Sequence, residues 1–187
     1  MKKSYYFIGI LFLIVSFIFD KQISIFFTSY RNPILSSISI FIDGFKWYYL
    51  FGIVLLILLL RKEYKKLPSL VLSLILYLFI VNGLKILFSR ERPFVNLKNE
   101  LVETTNPYRS FPSGHATSMF VLLPFLNFFY GFWFILSIVV AFSRVYLGVH
   151  YLSDIIGGAL LGFLIQDLSE FLMIRAQKSK IFTHRKV

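Results

Sequence analysis

Two histidines, an aspartate and three cations are concentrated in two short stretches of an otherwise apolar chain. The first, residues 85–115, holds Lys85, Arg92-Pro93 and Pro112-Ser113-Gly114-His115; the second, residues 143–154, holds Ser143-Arg144, His150 and Asp154. Charge beside lipid is expensive, so ionisable groups next to apolar helices mark functional positions by default. Lys85, Arg92 and Arg144 offer three positive charges to a polyanion, and the planar fork of Arg144 suits two phosphate oxygens at once. His150 and Asp154 are four apart and share a face if the segment is helical. A carboxylate beside an imidazole holds one ring nitrogen protonated and aims the other outward, as a nucleophile or base. Ser113 is a good N-cap, Gly114 lets a ligand approach the backbone, and the free N–H groups of a helix start make an anion cradle. His115, in the first turn, would then donate a proton to a leaving oxygen. Each feature alone has a plainer explanation: a His–Asp pair at a helix start, a snorkelling arginine, a capped helix, flanking charges.

The elements that must position these residues are apolar helices. The chain has 187 residues, 57% of them hydrophobic, and a mean hydropathy of +0.74. Apolar runs recur along nearly all of it, which predicts one integral membrane domain over residues 1–187. The formal charge of +11 would suggest nucleic acid in a soluble protein. Here the excess flanks apolar runs, the pattern of membrane topology signals, and no nucleic-acid partner is expected. Without cysteine there are no disulfides and no thiolate chemistry. The run after Met1-Lys2-Lys3 ends in Phe19-Asp20-Lys21 with no small-residue cleavage site, so it reads as a retained first span.

Six spans are predicted: 5–19, 47–60, 67–88, 115–130, 132–147 and 152–174. A span of about 15 residues reaches about 22 Å, short of a hydrocarbon core of about 30 Å, so flanking residues must extend it or the bilayer must thin. Gly131 is expected to break the fourth span from the fifth, and Pro124 to bend the fourth. Ile34, Ile38, Phe41 and Phe45 repeat at helical spacing among Ser36, Ser37, Ser39 and Asp43, which predicts an amphipathic helix in the interface plane. The expected fold is thus all-α, a bundle of six transmembrane helices with an interfacial helix. One side of the membrane would hold Lys2, Lys3, Arg61, Lys62, Lys65, Lys66, Arg175, Lys178, Lys180, Arg185 and Lys186. The other would hold Lys21, Arg31, Lys46, Lys85, Arg90, Arg92, Lys98, Arg109 and Arg144. Setting aside Lys85, Arg92 and Arg144 leaves 11 against 6, which puts both termini in the cytoplasm and both chemical stretches on the outer face.

Together these elements resemble the type-2 phosphatidic acid phosphatase (PAP2) family, the membrane branch of a superfamily that also contains vanadium haloperoxidases. Its signatures K-x6-R-P, P-S-G-H and S-R-x5-H-x3-D match Lys85 with Arg92-Pro93, Pro112 to His115, and Ser143-Arg144 with His150 and Asp154. Eleven fixed positions in order are far more specific than any one motif. The resemblance implies a lipid phosphatase of the cell (inner) membrane that uses no metal or other cofactor, with its site facing the periplasm or outside. It implies that His150 attacks phosphorus to form a phosphohistidine, that Asp154 orients His150, and that His115 protonates the leaving oxygen and then activates water. Lys85, Arg92 and Arg144, helped by Ser113 and the Gly114 N–H, would neutralise the phosphoryl oxygens. Such a site agrees with phosphoryl transfer, which needs mainly positioning and charge stabilisation. The candidate partners are the bilayer and a lipid phosphate: lipid A 1-phosphate, phosphatidylglycerophosphate, undecaprenyl diphosphate or phosphatidic acid.

A phosphotransferase would use the same site with a different acceptor. An anion transporter would use the cations but not a His–Asp pair beside a second histidine, and transporters tend to carry internal repeats, which this chain lacks. A haloperoxidase would hold vanadate in a similar cradle, but six apolar spans suit a lipid better. Near the motifs the acids are Glu91, Asp154, Glu100 and Glu103, a thin set for an oxygen-liganded metal. The loop from Arg92 to Ser110, with Asn96, Asn99, Asn106, Tyr108 and Arg109, is placed to read a head group. Arg109 and Arg90 are candidates for extra anion contacts or plain solvated charges. Asn82 suits an interhelical hydrogen bond, and Gly158 and Gly162 suit close helix packing.

Overall fold

The computed structural model describes residues 4–97, 101 and 106–184. Lys2, Lys3, Lys98, Asn99, Glu100, Glu103, Arg185 and Lys186, named above, lie outside the described residues. Those residues form α1 (Ser4–Ser29), α2 (Pro33–Gly44), α3 (Trp47–Leu60), α4 (Leu67–Phe88), α5 (Pro93–Leu97), α6 (Gly114–Leu122), α7 (Tyr130–Tyr146) and α8 (Leu152–His184), with 3-10 turns at Tyr64–Lys66 and Leu123–Leu126. There is no strand among them. Three helical stretches are long and apolar enough to cross a bilayer: Tyr6–Ser29, Tyr64–Leu97 and Leu152–Lys178; the pair α2–α3, bent by 70°, makes a fourth if it acts as one. The shorter apolar helices are Gly114–Leu126 and Tyr130–Tyr146. Phe7, Phe79 and Leu87 are among many large apolar side chains that point outward, as expected where the solvent is lipid. This is a multi-pass membrane protein.

α3 and α4 match their sequence boundaries, but α1 is longer than 5–19. Its 26 residues run past Asp20 because that carboxylate is turned inward, only 4% exposed, and is satisfied by the start of α8. α2 forms as the periodicity requires: Pro33 sits at its first turn and the Asn32 side chain accepts from the N–H groups of Ile34 and Leu35. The break between the fourth and fifth predicted spans falls at residues 127–129, where Phe129 adopts φ 57°. Gly131 lies inside α7 instead, so the expected break there is corrected. Pro124 sits in the 3-10 turn, consistent with the missing N–H of proline disrupting an α-helical ladder.

α6 is the central helix. Seven of its residues, Ala116 to Leu122, are buried, and α8 lies against it through two glycines. A Cβ on Gly158 would stand 2.8 Å from the Ser113 carbonyl oxygen, and one on Gly162 would stand 2.7 Å from the Thr117 carbonyl oxygen. The glycine spacing seen in sequence thus serves close packing, as expected. Small hydroxyls fill the interior by bonding their own helices: Thr117 Oγ1 donates to the Ser113 carbonyl at 2.8 Å and Ser137 Oγ to the Trp133 carbonyl at 2.8 Å. Asn82 donates to the Leu78 carbonyl of its own helix at 2.7 Å, so the interhelical bond expected for it is replaced by an exposed local one.

Candidate active site

The site lies where α4, α6, α7 and α8 begin or end on one side of the bundle. Lys85 comes from the last turn of α4, and its Nζ donates to the Arg109 carbonyl at 2.9 Å. Arg92 precedes Pro93, which starts the short helix α5 rather than stopping a helix. The Arg92 guanidinium donates to the carbonyls of Asn106 (3.0 Å), Val149 (3.0 Å) and Arg109 (3.3 Å). The Arg109 carbonyl therefore joins Lys85 to Arg92, and the Val149 carbonyl joins Arg92 to the residue before His150.

α7 delivers Arg144 in its last turn. It is 4% exposed, not a snorkelling charge, and its Nη1 pairs with the Asp43 carboxylate of α2. After α7 the chain turns at Gly148, whose φ of 76° favours glycine. The amides of Val149 and His150 both donate to the Arg144 carbonyl at 3.2 Å. His150 is therefore outside the helices, and α8 starts at Leu152. The pair does not meet by sharing a helical face. Instead Asp154, in the first turn of α8, folds back: its Oδ2 accepts the Tyr151 N–H at 2.8 Å and lies 3.4 Å from His150 Nδ1. Ser110 donates its hydroxyl to the same oxygen and stands 3.5 Å from His150 Nδ1. With Nδ1 toward Asp154, Nε2 is the ring nitrogen available for chemistry.

Ser113 occupies the N-cap position of α6 but makes no side-chain capping bond; its N–H donates to the Asp154 main-chain carbonyl at 3.0 Å. Its Oγ and Arg144 Nε are both buried without a hydrogen-bond partner among the described residues. Buried polar atoms are nearly always satisfied, so two orphaned donors at one site suit an anionic ligand. Gly114 approaches Tyr77, which donates its hydroxyl to the Gly114 carbonyl at 3.2 Å. His115 is half-buried, with Nε2 3.2 Å from the Phe45 carbonyl.

Burial, with the charges of Arg92, Lys85, Arg144 and His115, holds the His150 imidazole well below the ordinary histidine range. These groups come from three motifs separated in the sequence, and each bears on one imidazole. The structure thus brings together Lys85, Arg92, Ser113, Gly114, His115, Arg144, His150 and Asp154. The arrangement can hold a small dianion, present a neutral imidazole to it and supply a second imidazole as acid or base. No cluster of metal-ligating His and acidic side chains exists among the described residues.

Three participants, Asp43, Ser110 and Asp20, escaped the sequence reading, and Arg90 has a different role from the one expected. Asp43 pairs with Arg144, Ser110 donates to Asp154, and buried Asp20 forms an ion pair with the partly exposed Arg90, Arg90 Nη2 to Asp20 Oδ2 2.7 Å. Arg90 is neither an anion contact nor a solvated charge, because both of its terminal nitrogens are held by carboxylates. Arg109 contributes its carbonyl, and its side chain is exposed. Asp20 carried a usable signal, an acid within an apolar run; Asp43 and Ser110 carried none.

A PAP2 superfamily profile matches residues 66–169. The undecaprenyl-diphosphatase of Sulfolobus acidocaldarius is 30% identical over 189 residues, covering 90% of this chain and 91% of that protein. The crystal structure of a PAP2 type phosphatidylglycerolphosphate phosphatase from Bacillus subtilis superposes with a TM-score of 0.69 and 25% identity, covering 94% of this chain and 98% of that one. The crystal structure of Aquifex aeolicus LpxE gives 0.67 and 26%, covering 79% and 92%. The chain belongs to the PAP2 superfamily. It is a membrane-bound phosphoric ester hydrolase.

Proposed function

We propose that this protein removes a phosphate from a lipid phosphate monoester or diphosphate through a phosphohistidine, without a metal or other cofactor. His150 Nε2 attacks phosphorus in line, and the P–O bond to the lipid breaks with its electron pair on the lipid oxygen. His115 gives that oxygen a proton. The incoming dianion supplies the negative charge that favours a protonated His115. His115 then takes a proton from water, the water oxygen attacks phosphorus, and the N–P bond breaks to release phosphate. Lys85, Arg92 and Arg144 hold the equatorial oxygens, where charge stabilisation counts most; Ser113 Oγ and the Gly114 N–H assist. Asp154 steadies His150 and its developing positive charge.

One observation carries this reading: three cations from two motifs converge on a buried imidazole beside two unpartnered donors, Ser113 Oγ and Arg144 Nε. Relatives acting on undecaprenyl diphosphate and phosphatidylglycerolphosphate support a lipid substrate, and both head groups belong in the test, with phosphatidic acid and lipid A 1-phosphate. The whole chain is one domain with six spans: α1, α3, α4, α6 with its 3-10 turn, α7 and α8. α2 lies in the interface, its apolar Ile34, Ile38 and Phe41 outward. The basic flanks support cytoplasmic termini and a site on the outer face of the cell membrane.

The test is phosphate release from each of the four lipids by purified protein in detergent. At least one is turned over, and His150→Ala abolishes that turnover; retained turnover in the variant would end the proposal.

A further inference from the structure

Asp20 lies outside the three motifs and Arg90 fills only a variable position of the first, yet the two form a densely bonded polar cluster with Ser153 and Asp154. Arg90 Nη1 donates to Asp154 Oδ1 at 2.7 Å and to Ser153 Oγ at 2.6 Å, and Nη2 donates to Asp20 Oδ2 at 2.7 Å. Asp20 also accepts the Ser153 N–H on Oδ1 at 2.9 Å and the Ser153 hydroxyl on Oδ2. The guanidinium lies over the Tyr151 ring at 4.3 Å and the Phe17 ring at 5.0 Å, a cation–π cage that fixes its plane. Asp20, Ser153 and Asp154 are all buried.

This division of contacts matters for the nucleophile. Asp154 Oδ2 meets His150, Ser110 and the Tyr151 amide, while Oδ1 meets Arg90. Arg90 therefore locks the rotation of the carboxylate that faces the imidazole. It also offsets part of that carboxylate's charge, and Asp20 in turn offsets part of the charge of Arg90. Two acids share one cation, and the remaining negative charge faces His150.

We infer that Asp20 and Arg90 are positioning residues for the hydrolysis: Asp20 on α1 holds Arg90 against Asp154, and Arg90 sets both the aim and the effective charge of the carboxylate behind the nucleophile. This rests on the reading of His150 as nucleophile. It gives α1, otherwise a lipid-facing helix, an indirect part in aiming the nucleophile.

The experiment is kcat/KM against pH in detergent for Asp20→Asn, Arg90→Gln and Arg90→Lys. The other groups facing the His150–Asp154 pair stay constant: Lys85 from α4, Arg92, Ser110, His115 from α6, Arg144 from α7 with its partner Asp43 from α2, and Tyr151. Removing the positive charge with Arg90→Gln raises the proton affinity of the pair as a unit, so the acid limb moves up by about one pH unit. Removing the negative charge with Asp20→Asn moves it down, by less, since Asp20 is one group further away. Arg90→Lys keeps the charge but cannot bridge both acids, so the limb stays near wild type while kcat falls. A purely structural tie lowers activity in all three and moves no limb; that result, or shifts of the same sign in Asp20→Asn and Arg90→Gln, overturns the inference. If Arg90→Gln does not fold, Asp20→Asn decides alone: a downward shift supports it and an unmoved limb overturns it. His150→Ala separates the two failures. Turnover retained there defeats the active-site assignment itself, whereas turnover lost there with unmoved limbs in the other variants defeats only the part given to Asp20 and Arg90.

Discussion

Gly158→Ala tests whether the contact between α6 and α8 sets the geometry of the site. A Cβ at this position would meet the Ser113 carbonyl oxygen at 2.8 Å, Ala116 Cβ at 3.1 Å and Thr117 Oγ1 at 3.1 Å. Ordinary contact begins near 3.4 Å, so Ser113 must retreat by about 0.6 Å. Its obstacle is main chain, which cannot rotate aside as a side-chain tip can. Ser113 carries the cradle, its N–H bonds the Asp154 main-chain carbonyl at 3.0 Å, and His115 lies two residues on. A misplacement of about 1 Å costs about 100-fold in rate, so a shift of this size should lower kcat/KM by roughly 10- to 100-fold. Overpacking should also cost about 1–3 kcal/mol of stability. The assay pairs lipid-phosphate turnover with thermal unfolding in detergent. Gly83→Ala on α4 is the control, since nothing stands within 4 Å of its Cβ position; it should keep wild-type turnover and melting temperature. Should Gly158→Ala behave like that control, the claim that helix contact fixes the cradle is refuted.

The pH dependence follows from His150. Burial and the surrounding cations lower its pKa, so it stays neutral and nucleophilic through the ordinary histidine range and is lost only as pH falls through the lowered value. The acid limb of kcat/KM should therefore lie below about 6.5; a limb at or above that value contradicts the electrostatics. Turnover should persist in EDTA if, as proposed, three fixed cations serve in place of a metal at the phosphoryl oxygens, and abolition by chelation would refute this. A reporter fused after Val187 should read cytoplasmic; a periplasmic reading would invert the proposed orientation.

The members of the candidate site were legible in the sequence where residue type and spacing are the constraint. The motifs named Lys85, Arg92, Ser113, Gly114, His115, Arg144, His150 and Asp154, and the fold gathers all eight. The boundaries of α3 and α4 were also legible, because continuous apolar runs bounded by charge leave the chain little choice between water and lipid. Gly158 and Gly162 were readable as packing positions, since only a missing Cβ lets two backbones come this close.

Tertiary structure decided what depends on which neighbour a side chain finds. Asp20-Lys21 reads locally as the end of a helix, yet α1 continues because Ser153 and Arg90, more than 60 residues away, satisfy the carboxylate. Arg90 reads as a loop charge until Asp20 and Asp154 converge on it. His150 and Asp154 suggest one helical face, but Gly148 turns the chain and leaves His150 in a loop, with Asp154 folding back to meet it. Local rules govern propensity, capping and hydropathy, whereas the partner of a buried charge is chosen by the whole bundle, since burial makes an unpaired ion too costly to leave.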